Sequence, residues 1–323
     1  GPFLVKPEDA ANWRLSMGDR VGFEPYMVGT VPHARIVDVW NITSPEVAKQ
    51  RPWYSKIMRG DDVVYPAHPV TFTRSSLYTM QLMVPIGLGM QLMLSGEPGS
   101  GKSFLMLDIE DALLEWAGLN MALNPVFVFW HLGERNVDRN TIVPILARHQ
   151  AANPELEVYH FGPPRGVAGK YENLHIAEFV KGLVERLFEQ GRNVFVCGDG
   201  LRGLVNDTYA KFAPQGYGLS GSGVSTYGIE QAIRFVAHAG YTQHGSITNI
   251  VTTLSGFRGQ AEQLRIEVGQ PEATGEATVA KMNGGLVYPK LALDHCAIRQ
   301  PELLFAHDPK RLELHRLLRD TLQ

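Results

Sequence analysis

Residues 96–103 read GEPGSGKS, and the types and spacing of these residues suit phosphate binding. The glycines allow backbone N–H groups to turn inward, and a following helix would present its positive end to the same anion. Lys102 could reach the outer phosphates of a nucleoside triphosphate, and the Ser103 hydroxyl could coordinate Mg²⁺. The stretch therefore predicts a site for ATP and Mg²⁺. Its predicted lining residues are Gly96, Pro98, Gly99, Ser100, Gly101, Lys102, Ser103 and Phe104.

A second Mg²⁺ ligand should follow another strand of the same sheet. The apolar run NVFVCGD ends at Asp199, where a carboxylate would lie beside the metal. The alternative is that Asp199 caps a helix. Two further acids, Asp108 and Glu110, follow the cradle on its helix, and we expect both to be solvated.

Hydrolysis also requires a group that orients the attacking water. The run VFVFWHLGERN places Glu134 and Arg135 just after an apolar strand. Glu134 could orient water, and Arg135 could contact the γ-phosphate. The alternative is an ordinary surface ion pair. We expect His131, at the end of the same strand, to be a packed core residue.

Composition limits the remaining possibilities. The chain has 323 residues, 44% of them hydrophobic, and a formal net charge of −3. This charge argues against a broadly basic surface of the kind that grips duplex DNA, but leaves room for a local basic groove. Cys197 and Cys296 form no disulfide framework, which favours a reducing, cytoplasmic location. The histidines show no zinc-binding spacing. Gly1 and Pro2 have the form of a protease-cleavage remnant.

The elements that must position these residues follow a regular order from about residue 72 onward. Apolar strands alternate with amphipathic helices, which predicts an α/β fold with a mostly parallel sheet flanked by helices. The uncharged run 75–95 contains Pro85 and two glycines, so we expect two short strands around a turn and no membrane span. We divide the chain into an N-terminal adaptor segment (1–70), an ATPase domain (71–305) and a C-terminal helix (306–323).

The order of these motifs resembles one branch of the RecA-type ATPases, which contains Rho and the subunits of the rotary and secretion ATPases. The lead-in VPIGLGMQLMLSGEPGSGKS is similar to that of the rotary subunits, and the GER of 133–135 resembles the catalytic motif of the branch. The segment GSIT (245–248) resembles the strand that follows the pore loop in this branch, and VYPKLALDHCAIRQPELL (287–304) resembles Rho. The resemblance covers residues 72–304 and implies a RecA-like P-loop ATPase core.

The resemblance also implies roles for two later residues. Tyr288 would stack on the adenine base, and Arg299 would act as an arginine finger in the active site of a neighbouring subunit. A finger acting in trans implies a head-to-tail ring, in this branch a hexamer. From the residues alone, Arg299 could be a surface arginine and Tyr288 a core aromatic.

The chain departs from the family pattern in two places. The arginine that usually follows the strand-end acid by four positions is replaced by Gly203, with Arg202 one residue earlier. The N-terminal segment also contains no recognisable RNA-binding barrel. The function of Rho therefore does not transfer directly to this chain.

Two loops would face the central pore of such a ring. Residues 210–225 contain Lys211 and Tyr217, and residues 255–263 contain Phe257 and Arg258. Cations with aromatic rings suit single-stranded nucleic acid, but the same lining could grip a polypeptide. The first loop could also be a plain surface hairpin. Three functions stay open: a motor on single-stranded nucleic acid, a rotary or secretion-type ATPase acting on a protein stalk or cargo, and a nucleotide-dependent scaffold with slow hydrolysis.

Overall fold

The computed structural model describes residues 2–58, 68–131, 136–162, 170–201, 203–220, 223–254, 275–280, 290–299, 301–306 and 308–322. The strands are β1 (Leu4–Val5), β2 (Val21–Val28), β3 (Val31–Val39), β4 (Gln91–Gly96), β5 (Pro125–His131), β6 (Glu157–Phe161), β7 (Asn193–Asp199), β8 (Gly240–Tyr241), β9 (Ser246–Leu254), β10 (Gly275–Ala280), β11 (Lys290–Leu291) and β12 (Ala297–Ile298). The helices are α1 (Pro7–Trp13), α2 (Pro45–Lys49), α3 (Tyr54–Ile57), α4 (Tyr78–Met83), α5 (Lys102–Leu119), α6 (Asn136–Ala152), α7 (Lys170–Glu189), α8 (Thr226–Val236), α9 (Pro301–Leu304) and α10 (Pro309–Leu322).

The large sheet has the strand order β11-β10-β4-β9-β7-β5-β6 within the described part of the chain. All pairs from β10 to β6 are parallel, while β11, β12 and β8 pair antiparallel at the margins. Strand β4 therefore lies between β9 and β10. Gly96 pairs with Leu254, and His131 pairs with Asp199, so the carboxyl ends of these four strands share one edge of the sheet.

Both faces of the sheet are covered, as parallel strands require. Phe127 and Phe129 belong to the core that contains the apolar side of α5, whereas Val126 and Val128 belong to the core under α7 and α8. This period of two matches the alternation of side chains along a strand. The buried rings of Phe127 and Phe195 stack at 5.2 Å between centroids. The mostly parallel α/β fold predicted from the sequence is confirmed.

The first 58 residues form a smaller layer of their own. Strands β1, β3 and β2 make a three-stranded sheet, and Trp13, Ile36 and Val39 form its core. Helix α3 attaches this layer to the part of the chain that contains the large sheet. The backbone N–H of Tyr54 donates to the Glu189 carboxylate at 2.6 Å, and its ring stacks on His238 at 4.8 Å.

One prediction about elements is wrong, and one strand was missed. The first half of the run 75–95 forms helix α4 and not a strand, because its unbranched Met, Gln and Leu residues favour a helix. Strand β10 was not predicted, although it pairs with β4 and carries the edge strand β11 on its other side. Its sequence GEATVA contains no continuous apolar run. No helix among the described residues is both long and apolar enough to cross a membrane.

Candidate nucleotide site

The phosphate cradle connects β4 to α5, and its backbone takes a shape that glycine permits. Gly99 and Gly101 have φ values of +75° and +97°, in the left-handed region that is costly for other residues. At Gly96, a β-carbon would lie 2.7 Å from the Ser100 Oγ and 2.8 Å from the carbonyl oxygen of Val279. The three glycines therefore fix the loop close to the end of β10, with the first turn of α5 directly behind it.

The side chains of the cradle match the chemistry of a bound triphosphate. Lys102 is 8% exposed, and its ammonium donates to the carbonyl oxygens of Gly96 and Glu97, both at 2.8 Å. Ser100 is 6% exposed, and its Oγ has no hydrogen-bond partner within the described part of the chain. A buried hydroxyl of this kind is normally satisfied, so it fits a loop that takes up a polar ligand. Ser103 is half-buried, while the Phe104 ring is 54% exposed.

Asp199 lies at the end of β7 and is buried, as a Mg²⁺-linked acid should be. Its carboxylate accepts a hydrogen bond from the Thr252 hydroxyl, on the neighbouring strand β9. The same hydroxyl accepts from the backbone N–H of Gly200 at 2.8 Å. Thr252 therefore fixes the position of Asp199. Ser103 and Asp199 are the residues that would hold Mg²⁺, which would neutralise charge on the phosphates of ATP.

Glu110 does not fit its sequence-based prediction, because it is fully buried and not solvated. Its Oε1 lies 2.9 Å from Nε2 of His131, and His131 Nδ1 lies 3.3 Å from Nε2 of His160. Burial raises the pKa of the Glu110 carboxyl, and the nearby His131 opposes part of this rise. The predicted core position of His131 is confirmed. This polar chain links α5 to the ends of β5 and β6.

Asp108 is also not freely solvated, because Arg74 pairs with it at 2.9 Å. The same guanidinium contacts Asp111 at 2.7 Å and also Glu115. Asp111, Glu115 and His149 have the spacing of a metal site. The charge of Arg74 already lies among these acids, so the cluster serves as an ion-pair network.

Several predicted site residues lie outside the described residues. They are Glu134, Arg135, Phe257, Arg258 and Tyr288. Their roles stay predictions. His131 ends β5 three residues before Glu134, so β5 leads toward the edge where Asp199 ends β7.

Three other predicted residues are described. Lys211 is exposed in a short 3₁₀ turn, and Tyr217 is 44% exposed, with its hydroxyl donating to Glu230 at 3.1 Å. The loop after Lys211 closes as a hairpin, in which the backbone N–H of Ser220 donates to the carbonyl of Val224 at 2.7 Å. Arg299 is exposed directly after β12.

Two residues of the site were missed by sequence reasoning. Thr252 follows Val251, which pairs with Gly198, so it lies level with Asp199 across β9 and β7 and two residues before the end of β9. Glu110 follows the spacing of Met106, Leu113 and Ala117 on α5, which places it on the buried face of that helix. An acid on an apolar helix face indicates a buried partner.

Comparisons with known proteins agree with this geometry. The chain is 24% identical to the transcription termination factor Rho of Mycobacterium leprae over 279 residues, which cover 84% of this chain and 42% of Rho. It therefore spans less than half of that relative. No protein-family model matches the sequence.

Solved structures share the fold at low sequence identity. The ATP synthase subunit NeqB of Nanoarcheaum equitans superposes with a TM-score of 0.62 and 15% identity, covering 80% of this chain and 62% of NeqB. An ATPase from the type III secretion system of pathogenic bacteria superposes with a TM-score of 0.58 and 17% sequence identity. The match covers 78% of this chain and 68% of that ATPase. With the cradle and the strand-end acid at one edge of a parallel sheet, the chain shares the fold of these ATPase structures and resembles Rho in sequence.

Proposed function

We propose that this chain is one subunit of a head-to-tail ring, a hexamer, that couples ATP hydrolysis to movement along single-stranded nucleic acid. The observation that carries the proposal is the cradle with its strand-end acid, in a chain whose similarity to Rho extends over 84% of its length. Because that relative is named as a transcription termination factor, single-stranded RNA is tested beside single-stranded DNA as the cargo.

In this proposal, the cradle and the strand-end acid hold the nucleotide and Mg²⁺, and later residues act on the γ-phosphate and the base. Lys102 and the N–H groups at the start of α5 would hold the outer phosphates, and Ser103 with Asp199 would hold Mg²⁺. Lys102 must exchange two carbonyl partners for phosphate oxygens, both within reach of the same loop. Glu134 would orient the attacking water. Arg135 and the finger Arg299 would stabilise the charge of the transferred phosphoryl group, and Tyr288 would stack on adenine.

The pore contacts are the part that selects the cargo. Exposed Lys211 and Tyr217 lie together on one loop, and a ring would present each of them in six copies. Phe257 and Arg258 would form the second pore loop. Cations and aromatic rings in this combination bind phosphates and bases without sequence preference.

A second candidate is an ATPase that acts on a protein stalk or polypeptide cargo. The fold similarity to an ATP synthase subunit and to a secretion ATPase favours it, because both superpose over about four fifths of the chain. An aromatic pore lining also suits an extended polypeptide.

The two candidates are separated by measuring steady-state ATP hydrolysis with single-stranded RNA, single-stranded DNA and duplex DNA, at fixed salt. We expect single strands to stimulate hydrolysis severalfold, and Lys102→Ala to abolish the activity. The variant Lys310→Ala, which removes an exposed lysine on α10 and outside the cradle, is the matched control. Hydrolysis that is lost with Lys102 but indifferent to every polynucleotide would reject the nucleic-acid motor and leave the protein-directed ATPase.

A further inference from the structure

A basic pocket lies between the N-terminal layer and the ATPase part of the chain. Its volume is about 660 Å³, within the range of small-molecule sites, and its cationic lining residues are Arg14, Lys49, Arg51 and Lys56. The turn at Thr242 and His244 closes the other side. No carboxylate is found among the described residues that line it. This concentration of positive charge contrasts with the overall net charge of −3.

The pocket is separate from the nucleotide cradle. The turn at Thr242 in the pocket comes just before the first residue of β9. The cradle begins at Gly96, which pairs with Leu254, the last residue of the same strand. Nine residues of β9 separate the two edges, which corresponds to roughly 25–30 Å. A ligand in the pocket therefore contacts no residue of the ATP site.

The positive charge of the pocket is only partly balanced. Arg51 pairs with Asp19 at 2.6 Å, and Glu46 lies one turn before Lys49 outside the lining. Arg186 and the backbone of Tyr54 engage Glu189 nearby. Arg14 is the remaining cation next to Arg51. Burial and the charge of Arg51 lower the pKa of Arg14, although Glu189 opposes this shift. Lys56 is exposed at the rim.

Trp53 gives the pocket an aromatic wall. The Arg14 guanidinium lies 3.8 Å over its ring, and the indole is 37% exposed. Arg14 is held in this position because its Nη1 donates to the backbone carbonyls of Lys49 and Arg51. A fixed guanidinium plane stacked on an indole, beside exposed ammonium groups, is a surface that binds phosphate esters with an attached base.

We propose that this pocket binds a phosphate group of a nucleotide, with Lys49 and Lys56 contacting the phosphate and the Arg14–Trp53 stack contacting the organic part. The phosphate comes from a free nucleotide or from one unit of a single strand. The site requires neither hydrolysis nor ring formation, so it stands independently of the motor function.

The test measures binding to Lys49→Ala/Lys56→Ala in a Lys102→Ala background, which removes the main cradle contact. One arm titrates ADP by calorimetry, and the other follows the anisotropy of a fluorescein-labelled 12-nucleotide oligouridylate. We expect at least about tenfold weaker binding in one arm, since two charge-assisted contacts are lost. Loss in the ADP arm assigns a free nucleotide, and loss in the oligouridylate arm alone assigns a strand.

Two control variants test whether a loss of binding is specific to the charge of the pocket. Lys6→Ala/Lys310→Ala removes the same charge outside the pocket and should leave both affinities unchanged. Lys49→Arg/Lys56→Arg should bind like the parent protein. Equal weakening by the distant pair, or affinities in both arms that ignore Lys49 and Lys56, would overturn the proposal. Because both lysines are exposed, the variants should melt at the parent temperature.

Discussion

At the scale of single residues, the site depends on groups that hold other groups in place. Asp199 would bind Mg²⁺ in a single geometry only if its carboxylate is fixed. The Thr252 hydroxyl provides that restraint by donating to the carboxylate, and it also accepts from the backbone N–H of Gly200. The Lys102 ammonium is fixed in the same way by two loop carbonyls. These side chains are ordered before a ligand arrives, which lowers the entropy cost of binding.

Replacing Thr252 with valine tests this restraint. The variant keeps the shape of the side chain but leaves the Asp199 carboxylate and the Gly200 N–H without their partner. We expect a loss of about 1–3 kcal/mol in the free energy of unfolding and a higher Mg²⁺ requirement for hydrolysis. Urea unfolding and a Mg²⁺ titration of ATPase activity measure the two effects.

The adjacent variant Thr253→Val is the matched control, because its side chain lies on the opposite face of β9. If both valine variants show the same Mg²⁺ requirement, Thr252 has no special role at Asp199. A change in stability alone would reduce its role to packing.

At the scale of elements, ion pairs attach the segment before β4 to the helix after it. Arg74 contacts Asp108, Asp111 and Glu115, which are spaced three and four residues apart and so lie along one side of α5. Arg148 of α6 and His149, at 2.6 Å, also contact Asp111. The cluster therefore sets the direction of α5 and, through it, the position of the cradle.

Arg74→Gln removes the shared cation and leaves three acids close together. We expect the free energy of unfolding to fall by about 1–3 kcal/mol at low salt, because the acids then repel one another, and the loss to shrink as salt screens them. Urea unfolding at two ionic strengths gives both numbers. Arg234→Gln breaks an exposed pair with Glu230 and should change stability by less than about 0.5 kcal/mol. Equal effects from both variants would show that the Arg74 cluster is an ordinary surface contact.

The same elements show how far the sequence predicts the structure. Strands β5 and β7 were predictable because they are buried on both faces and consist largely of apolar residues. Strand β10 was not, because its place beside β4 depends on pairing across about 180 residues and not on its own composition. The cradle is a local motif and could be read directly, whereas the Asp199–Thr252 and Glu110–His131 contacts join residues far apart in the chain.

At the scale of the whole molecule, the proposed ring can be tested by mixing inactive subunits. Lys102→Ala retains Arg299 but loses its cradle, and Arg299→Ala retains the cradle but loses the finger. If Arg299 acts in the site of a neighbour, a one-to-one mixture should recover about a quarter of the parent ATPase activity, because a quarter of random neighbours pair an intact cradle with an intact finger.

The mixture is assayed after each variant has been shown to be inactive alone and to have the mass of the parent assembly. A mixture as inactive as its components would show that Arg299 does not act between subunits. The double variant Lys102→Ala/Arg299→Ala, mixed with either single variant, supplies the baseline.

The place of β4 in the sheet has a consequence for the synthesis of the chain. Its two partners are β9 and β10, so the strand that carries the cradle cannot complete its pairing until residues 246–280 have left the ribosome. Gly96 is made 150 residues before Ser246 (246 − 96), a delay of roughly 8–30 s at ordinary translation rates. Strands β5, β6 and β7 can assemble in that interval. The apolar residues of β4 stay unpaired and exposed during this interval, and a chaperone could bind them.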